Sequence, residues 1–447
     1  MTKEFFGCII TATQHTNIQG KKMKIIDLIC SFTVSLIGIC CAYQIVYAVI
    51  GLFCKGRKFD SAQKKRKFGI VISARNEEKV IGNLLESIEK QDYPKELIRV
   101  FLVADNCTDN TAKIGRDHGA TVYERNDPEK ARKGWALEFL FDRINEDFGI
   151  EYHDAYVIFD ADNILDPLFL SKINDALDSG ADVAVGYRDI KNFDTNPISA
   201  AYGIHFYRST ATLHRPRAAL GLSTHIAGTG YAIKSEHLKD GWHFSSLTED
   251  TQFTLNAIAD GKKIVFCEDA IFYDEQPYQI KVMIRQRLRW AKGRLFSFLS
   301  CAYRLITGIF RKGSRKFECY DMFFYAFPKA LFSAIISMIY PIVSLISGAF
   351  SVPTDPVAVV IKLFGAIATS YLGFLLIGAI SVFRERDKIH CSSGKILIYI
   401  LTFPLFDLTG LPIAIASLFM RVKWKPIKHD RSIKIEEIKK ESFQRKP

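Results

Sequence analysis

The chain has 447 residues, a formal net charge of +12 and ten cysteines. That length allows one large domain plus further elements. The cysteines form no C-x-x-C pair and no metal-ligand spacing, which argues against a zinc module and fits a reduced compartment. The positive charge flanks long apolar stretches, so it suits anionic lipid headgroups and anionic nucleotide substrates and speaks against nucleic acid as a partner.

Residues 1–24 read as a polar leader, within which Met23 could be the start. Residues 28–54 carry no charge until Lys55, and 25–54 is expected to be a transmembrane helix. The stretch starts too late and runs too long for a cleaved signal, so it reads as a signal anchor. Lys21, Lys22 and Lys24 precede it. The heavier cluster of Lys55, Arg57, Lys58, Lys64, Lys65, Arg66 and Lys67 follows, which predicts a cytoplasmic main domain.

Buried strands are expected at 68–73, 99–105, 121–124, up to Asp160, at 181–187 and at 263–267. Between the first two, Val80, Ile81, Leu84, Leu85 and Ile88 recur at helical spacing, with Asn76 as a candidate cap. Polar residues 108–118 and the segment around 136–143 supply further helices. Strands alternating with helices predict an α/β domain with a mostly parallel sheet over 65–275. Residues 276–320 read as amphipathic interfacial helices. Further spans are expected at 322–350, 357–382 and 396–420, within a C-terminal membrane region over 321–421. Pro404, Asp407, Gly410 and Pro412 leave the last one open between a full crossing and a broken or re-entrant pair. A basic cytoplasmic tail over 422–447 follows.

The chemistry is expected where the apolar run 156–159 ends in Asp160-Ala161-Asp162. Alternation along a strand puts both carboxylates on one side, at the strand end where open α/β sheets bind ligands. Such a pair can hold a hard divalent cation against phosphate oxygens, although an Asp-rich turn would read the same. Neither G-x-G-x-x-G nor a P-loop follows the first strand, so a metal and basic side chains would have to handle phosphates.

Six motifs stand in order: Ser73-Ala74-Arg75-Asn76-Glu77, Ala104-Asp105-Asn106-Cys107-Thr108-Asp109, Lys133-Gly134-Trp135-Ala136-Leu137, Asp160-Ala161-Asp162, Thr248-Glu249-Asp250 and Gln286-Arg287-Leu288-Arg289-Trp290. Together they resemble the membrane-embedded, inverting family 2 glycosyltransferases, among them cellulose, chitin, hyaluronan and poly-N-acetylglucosamine synthases. The resemblance covers roughly 68–290 and implies a GT-A fold using a nucleotide-sugar donor, expected to be UDP-linked. It implies that Asp105 contacts the nucleoside, although many members carry two adjacent acids there and this chain has Ala104-Asp105.

Glu77, Lys133 and Asp160 would also face the nucleotide sugar, with Asp160 and Asp162 holding Mg²⁺ or Mn²⁺. Lys133 could equally be a solvated helix-start lysine beside Lys130 and Arg132. Asp250 would be the general base, and Thr248 could cap its helix. Glu249, Gly228 in the sequence HIAGTGY, Gln286, Arg289 and Trp290 would meet the acceptor. His205, His214 and His225 have no zinc spacing and read as ordinary surface or core histidines. The implied acceptor is a growing β-linked cell-surface polysaccharide, built processively. The alternative is one sugar added to a lipid carrier or glycolipid. A translocation channel would call for a second copy of the chain or an accessory export protein.

Overall fold

The computed structural model describes residues 25–313, 315–346, 356–422, 426–427 and 435–437. The expected leader and most of the expected tail lie outside them.

Eight strands form one sheet in the order β3-β2-β1-β4-β7-β6-β8-β5. They are β1 (Phe68–Ala74), β2 (Ile98–Asp105), β3 (Thr121–Arg125), β4 (Ala155–Asp160), β5 (Ile164–Leu165), β6 (Val183–Ile190), β7 (Tyr231–Lys234) and β8 (Ile264–Asp274). The pairs β1–β2, β2–β3, β1–β4 and β6–β8 are parallel. β7 runs antiparallel between β4 and β6, and β5 pairs antiparallel with β8 at the edge. The central strands are covered on both faces, which is why β1 and β4 are unbroken apolar runs. Ser73 lies in register with Asp160, and Ala74 with Ala104. The carboxyl ends of β1, β2 and β4 therefore open at one edge of the sheet.

Two expected caps are corrected. Asn76 caps no helix: it adopts φ 57, and its side-chain oxygen accepts from the Thr108 amide at 2.8 Å. The helix Ile81–Glu89 begins after Val80 and buries Ile81, Leu84, Leu85 and Ile88. Thr248 precedes the helix Glu249–Ala259 but makes no side-chain cap bond, because its hydroxyl lies 3.3 Å from Ser297 Oγ instead. The polar helix starts at Thr111 rather than 108. Asp109 turns the chain into it, accepting from the Thr111 amide at 3.0 Å.

Among the described residues, three helices are long and apolar enough to cross a membrane: Ile25–Phe53, Leu363–Arg384 and Ser393–Phe419. The expected crossing at 322–350 is broken, since Lys316–Ala326 and Lys329–Ile339 meet at 61°. Pro328 follows the break and drives Phe327 into an extended conformation at ψ 126. The last segment, in contrast, passes through Pro404 with only a turn at Thr409. The expected interfacial helices are one long helix, Ile280–Phe310, followed by Lys316–Ala326.

The sheet domain is bound to the helices before and after it by buried polar contacts, among them Tyr187 with Glu385 at 2.7 Å. Arg217 is fully buried and pairs with Asp321 at 2.8 Å, and the Tyr43 and Tyr47 hydroxyls donate to the same carboxylate at 2.9 and 3.0 Å. A side chain at Gly51 would stand 1.8 Å from the Ala211 carbonyl oxygen. Only glycine lets the N-terminal helix come this close.

Candidate active site

One cavity of about 400 Å³ opens at the carboxyl edge of the sheet. Glu77, Asp105, Lys133, Asp160, Asp162, Gly228, Glu249, Asp250, Gln286, Arg289 and Trp290 all line it. Residues from five separate elements thus converge on one space.

On one side, Asp105 ends β2 and is buried. Its Oδ1 accepts from Arg125 Nη1 at 2.6 Å and from Asn106 Nδ2 at 2.9 Å. Burial raises its pKa, against the opposing pull of Arg125. Lys133 is not a solvated helix-start lysine. It donates to Asp160 Oδ1 at 2.5 Å and to the Gly228 carbonyl at 2.8 Å. Burial disfavours its ammonium, but Asp160, Glu249 and Asp250 more than offset this and raise its pKa.

Asp160 keeps 39% of its side chain exposed toward the cavity, while Asp162 is buried and accepts from the Glu275 amide at 3.2 Å. Asp274, at the end of β8, joins them. It accepts from Asn163 at 3.0 Å and Gln276 at 2.8 Å, and it pairs with Arg188 at 2.9 Å. Burial, with Asp162 and Asp160 nearby, pushes Asp274 up to about 7 against the pull of Arg188. The carboxylates of Asp160 and Asp162 are hard oxygen donors of the kind that hold Mg²⁺ or Mn²⁺. Because Lys133 already occupies Asp160 Oδ1, such an ion would have to share that carboxylate with the ammonium or displace it. Among the described residues, the tightest group of acids and imidazole is Asp182, Glu236 and His237, at the opposite end of the strands. Lys262 lies 2.7 Å from His237 and the Lys263 amide donates to Asp182, so that group is already balanced by protein donors.

Across the cavity, Glu249 and Asp250 begin their helix against the long helix. A side chain at Gly293 would stand 2.6 Å from Thr248 Cγ2 and 3.0 Å from its amide nitrogen, so close packing fixes this helix start. Burial, with the Asp250 charge beside it, pushes Glu249 up to about 7. Asp250 is raised by burial too, while the Thr251 amide, Lys133, Arg289 and Arg188 pull it down.

Gly228 joins the two sides. It adopts φ +87, and a Cβ there would lie 3.6 Å from Arg188 Nη2 and 4.0 Å from Asp250 Oδ2. Arg289 donates to the Leu247 carbonyl at 2.8 Å, so it braces the turn before Asp250. Trp290 packs edge-on against Tyr202 at 5.8 Å and near Phe206 at 6.4 Å, a half-buried wall. Among the described residues the buried Gln286 carbonyl oxygen has no hydrogen-bond partner, an unfavourable state that a ligand hydroxyl would relieve.

Among the described residues, His205, His214 and His225 fall in no group of three or more metal-ligating side chains; His214 and His225 stack at 4.3 Å, and His205 and His225 reach the cavity wall. Arg188, Asp274, Arg208, Arg294 and Tyr325 also line the cavity and were not singled out in the sequence. One had a signal. Arg294 follows Trp290 by four residues and continues the Gln286–Trp290 helix face.

A mixed, mostly parallel sheet with acids gathered at the strand ends defines a nucleotide-sugar transferase of GT-A fold. The chain belongs to glycosyltransferase like family 2, whose model matches residues 65–293. It is 25% identical over 381 residues to a probable glycosyltransferase, YdaM, of Bacillus subtilis, covering 81% of this chain and 85% of that one. It is also 25% identical over 232 residues to the β-monoglucosyldiacylglycerol synthase of Synechocystis, covering 50% of this chain and 47% of that protein. The mannosyltransferase PcManGT of Pyrobaculum calidifontis, solved with GDP-Man and Mn²⁺, has the same fold. It superposes at a TM-score of 0.55 and 15% identity, over 89% of this chain and 99% of that one. The protein is a glycosyltransferase.

Proposed function

We propose that this enzyme transfers a sugar, with inversion, from a UDP-linked donor to a hydroxyl of a lipid-borne acceptor that enters from the membrane side. The observation that carries this reading is the seam at Gly228. Its carbonyl holds Lys133, and Lys133 holds Asp160, on one side; its open face lies beside Asp250 on the other. A donor on Asp105, Lys133 and Asp160 would therefore present its anomeric carbon toward Asp250.

Asp250 takes the acceptor proton, the acceptor oxygen bonds to the anomeric carbon, and the bond from that carbon to the diphosphate oxygen breaks. One displacement inverts the centre, so an α-linked donor yields a β-linked product and nucleoside diphosphate. Asp160 and Asp162 would hold Mg²⁺ or Mn²⁺, which would neutralise charge gathering on the leaving diphosphate. Lys133 places a fixed cation beside the same phosphates. Arg289 braces the turn before Asp250, Glu249 lines the acceptor side, and the Gln286 carbonyl receives an acceptor hydroxyl.

The acceptor half of the cavity is built from helices that touch the candidate membrane spans, which supports a lipid-borne acceptor. The basic residues after the first span support a cytoplasmic domain over 65–275 in the plasma membrane, with membrane segments at 25–54 and 321–421. A second reading is processive synthesis of a polysaccharide, favoured by Thr248-Glu249-Asp250 and Gln286–Trp290 facing one cavity.

The test is nucleoside diphosphate release by the purified full chain across UDP- and GDP-sugars, with Mg²⁺, Mn²⁺ or EDTA. Metal-dependent turnover of one donor that Asp250→Asn abolishes is the expected result. Turnover surviving both EDTA and the substitution overturns the assignment. Product sizing separates one added sugar from a polymer ladder.

A further inference from the structure

We infer that the membrane-side end of the cavity is an anion site centred on Arg294, which takes the phosphate of a phosphate-linked lipid acceptor. This deepens the lipid-acceptor reading above and rests on it.

The argument begins with how the neighbouring arginines are used. Arg188 pairs with Asp274, Arg208 with Asp407, Arg217 with Asp321, and Arg289 donates to a backbone carbonyl. Arg294 lines the same cavity, yet among the described residues it has no carboxylate partner. Its guanidinium lies 5.4 Å from the centre of the Tyr325 ring, which orients the cation without neutralising it. A planar fork held over a ring and facing a cavity is suited to phosphate oxygens.

The surroundings fit the rest of such a ligand. His225 is stacked between His214 and Tyr325 at 4.3 and 4.4 Å, and Arg217 donates to its Nδ1 at 3.2 Å. The ring is therefore neutral and adds neither charge nor competition. Ser209 offers a hydroxyl, and Phe206 and Leu213 give apolar wall on the same side. The turn Thr210–His214 packs directly on the N-terminal membrane helix at Gly51, so this end of the cavity lies beside the path of a lipid.

Position separates this site from the donor phosphates. Those face Lys133 and Asp160 at the end of β4, whereas Arg294 lies about 12 Å along its helix from Gln286, at 1.5 Å per residue. Trp290 stands one turn from each. An acceptor with its hydroxyl at Asp250 and its sugar along Trp290 would bring its phosphate to Arg294.

The test measures binding by calorimetry to the full chain in nanodiscs, using dioctanoyl phosphatidic acid and the neutral dioctanoylglycerol as probes. The expected result is about tenfold tighter binding of the phosphate-bearing lipid. Arg294→Ala abolishes that preference, Arg294→Lys retains part of it, and affinity for UDP or GDP is unchanged in both. Equal binding of the two lipids by the unaltered protein overturns the proposal. So does inorganic phosphate binding as tightly as the lipid phosphate, or Arg294→Ala weakening nucleoside diphosphate instead, which would return Arg294 to the donor. Asp250→Asn is expected to lose turnover and keep the lipid preference. Turnover surviving in that variant would sink the base assignment and leave the anion site standing.

Discussion

Glu249 and Asp250 are adjacent carboxylates in one desolvated wall, so they release their protons as a pair in two steps. Asp250 is raised by burial, and Glu249 is pushed up to about 7. A base works only when deprotonated, so kcat/KM should rise with pH over a range above that of ordinary carboxylates. A second inflection near pH 7 is expected in the unaltered enzyme and should vanish in Glu249→Gln, which keeps the neutral form at every pH. A profile flat between about pH 5 and 8 would reject the pair as the titrating unit. Asp250→Asn should cost about 10²–10⁴ in kcat, measured as nucleoside diphosphate release. Gly228→Ala acts differently. Its Cβ has room, but φ +87 strains any other residue by about 1–3 kcal/mol and shifts the carbonyl that holds Lys133. The expected outcome is at least a tenfold drop in kcat/KM, read by steady-state kinetics.

At the scale of elements, the long helix Ile280–Phe310 sets where Asp250, the proposed base, stands. Gly293 meets Thr248 closely enough that Gly293→Ala must push the long helix away from the helix start at Thr248. That variant should melt lower by an amount equivalent to about 1–3 kcal/mol and lose kcat, while nucleoside diphosphate affinity stays unchanged. Calorimetry of unfolding and of ligand binding would check it. The central strands were legible in the sequence because burial on both faces leaves apolar runs that end abruptly in acids, as at Asp105 and Asp160. The Gln286–Trp290 face was legible from helical spacing. Asn76 was misread because a side chain that pairs with a distant loop leaves the same local signature as a cap. The two-residue strand β5 carries no pattern at all. Asp274 belongs to the acid cluster only through sheet pairing, which no local spacing encodes.

Across the whole molecule, the sheet domain and the C-terminal helices, two of them candidate membrane spans, are joined by charges that the sequence scatters widely. Arg208, Arg215 and Arg217 lie within ten residues, yet they pair with Asp407, Glu385 and Asp321 on three different C-terminal segments. The last two pairs are almost wholly buried on both sides. Such a pair need not stabilise relative to an apolar core, but removing one partner strands a charge at a cost of about 3–5 kcal/mol. Cutting the chain to residues 60–312 would remove all three acids at once and expose the apolar faces that Tyr43 and Tyr47 now cover. A few kcal/mol is a large share of a domain's stability, so this fragment should not fold cooperatively. Circular dichroism and thermal melting of the fragment, beside the full chain in detergent, test this. A soluble fragment with a sharp transition would show that the domain folds without the flanking helices. Loss of the transition, with the full chain intact, would show that they complete its core. In that case Asp321→Asn alone should destabilise the full chain by leaving Arg217 buried and unpaired.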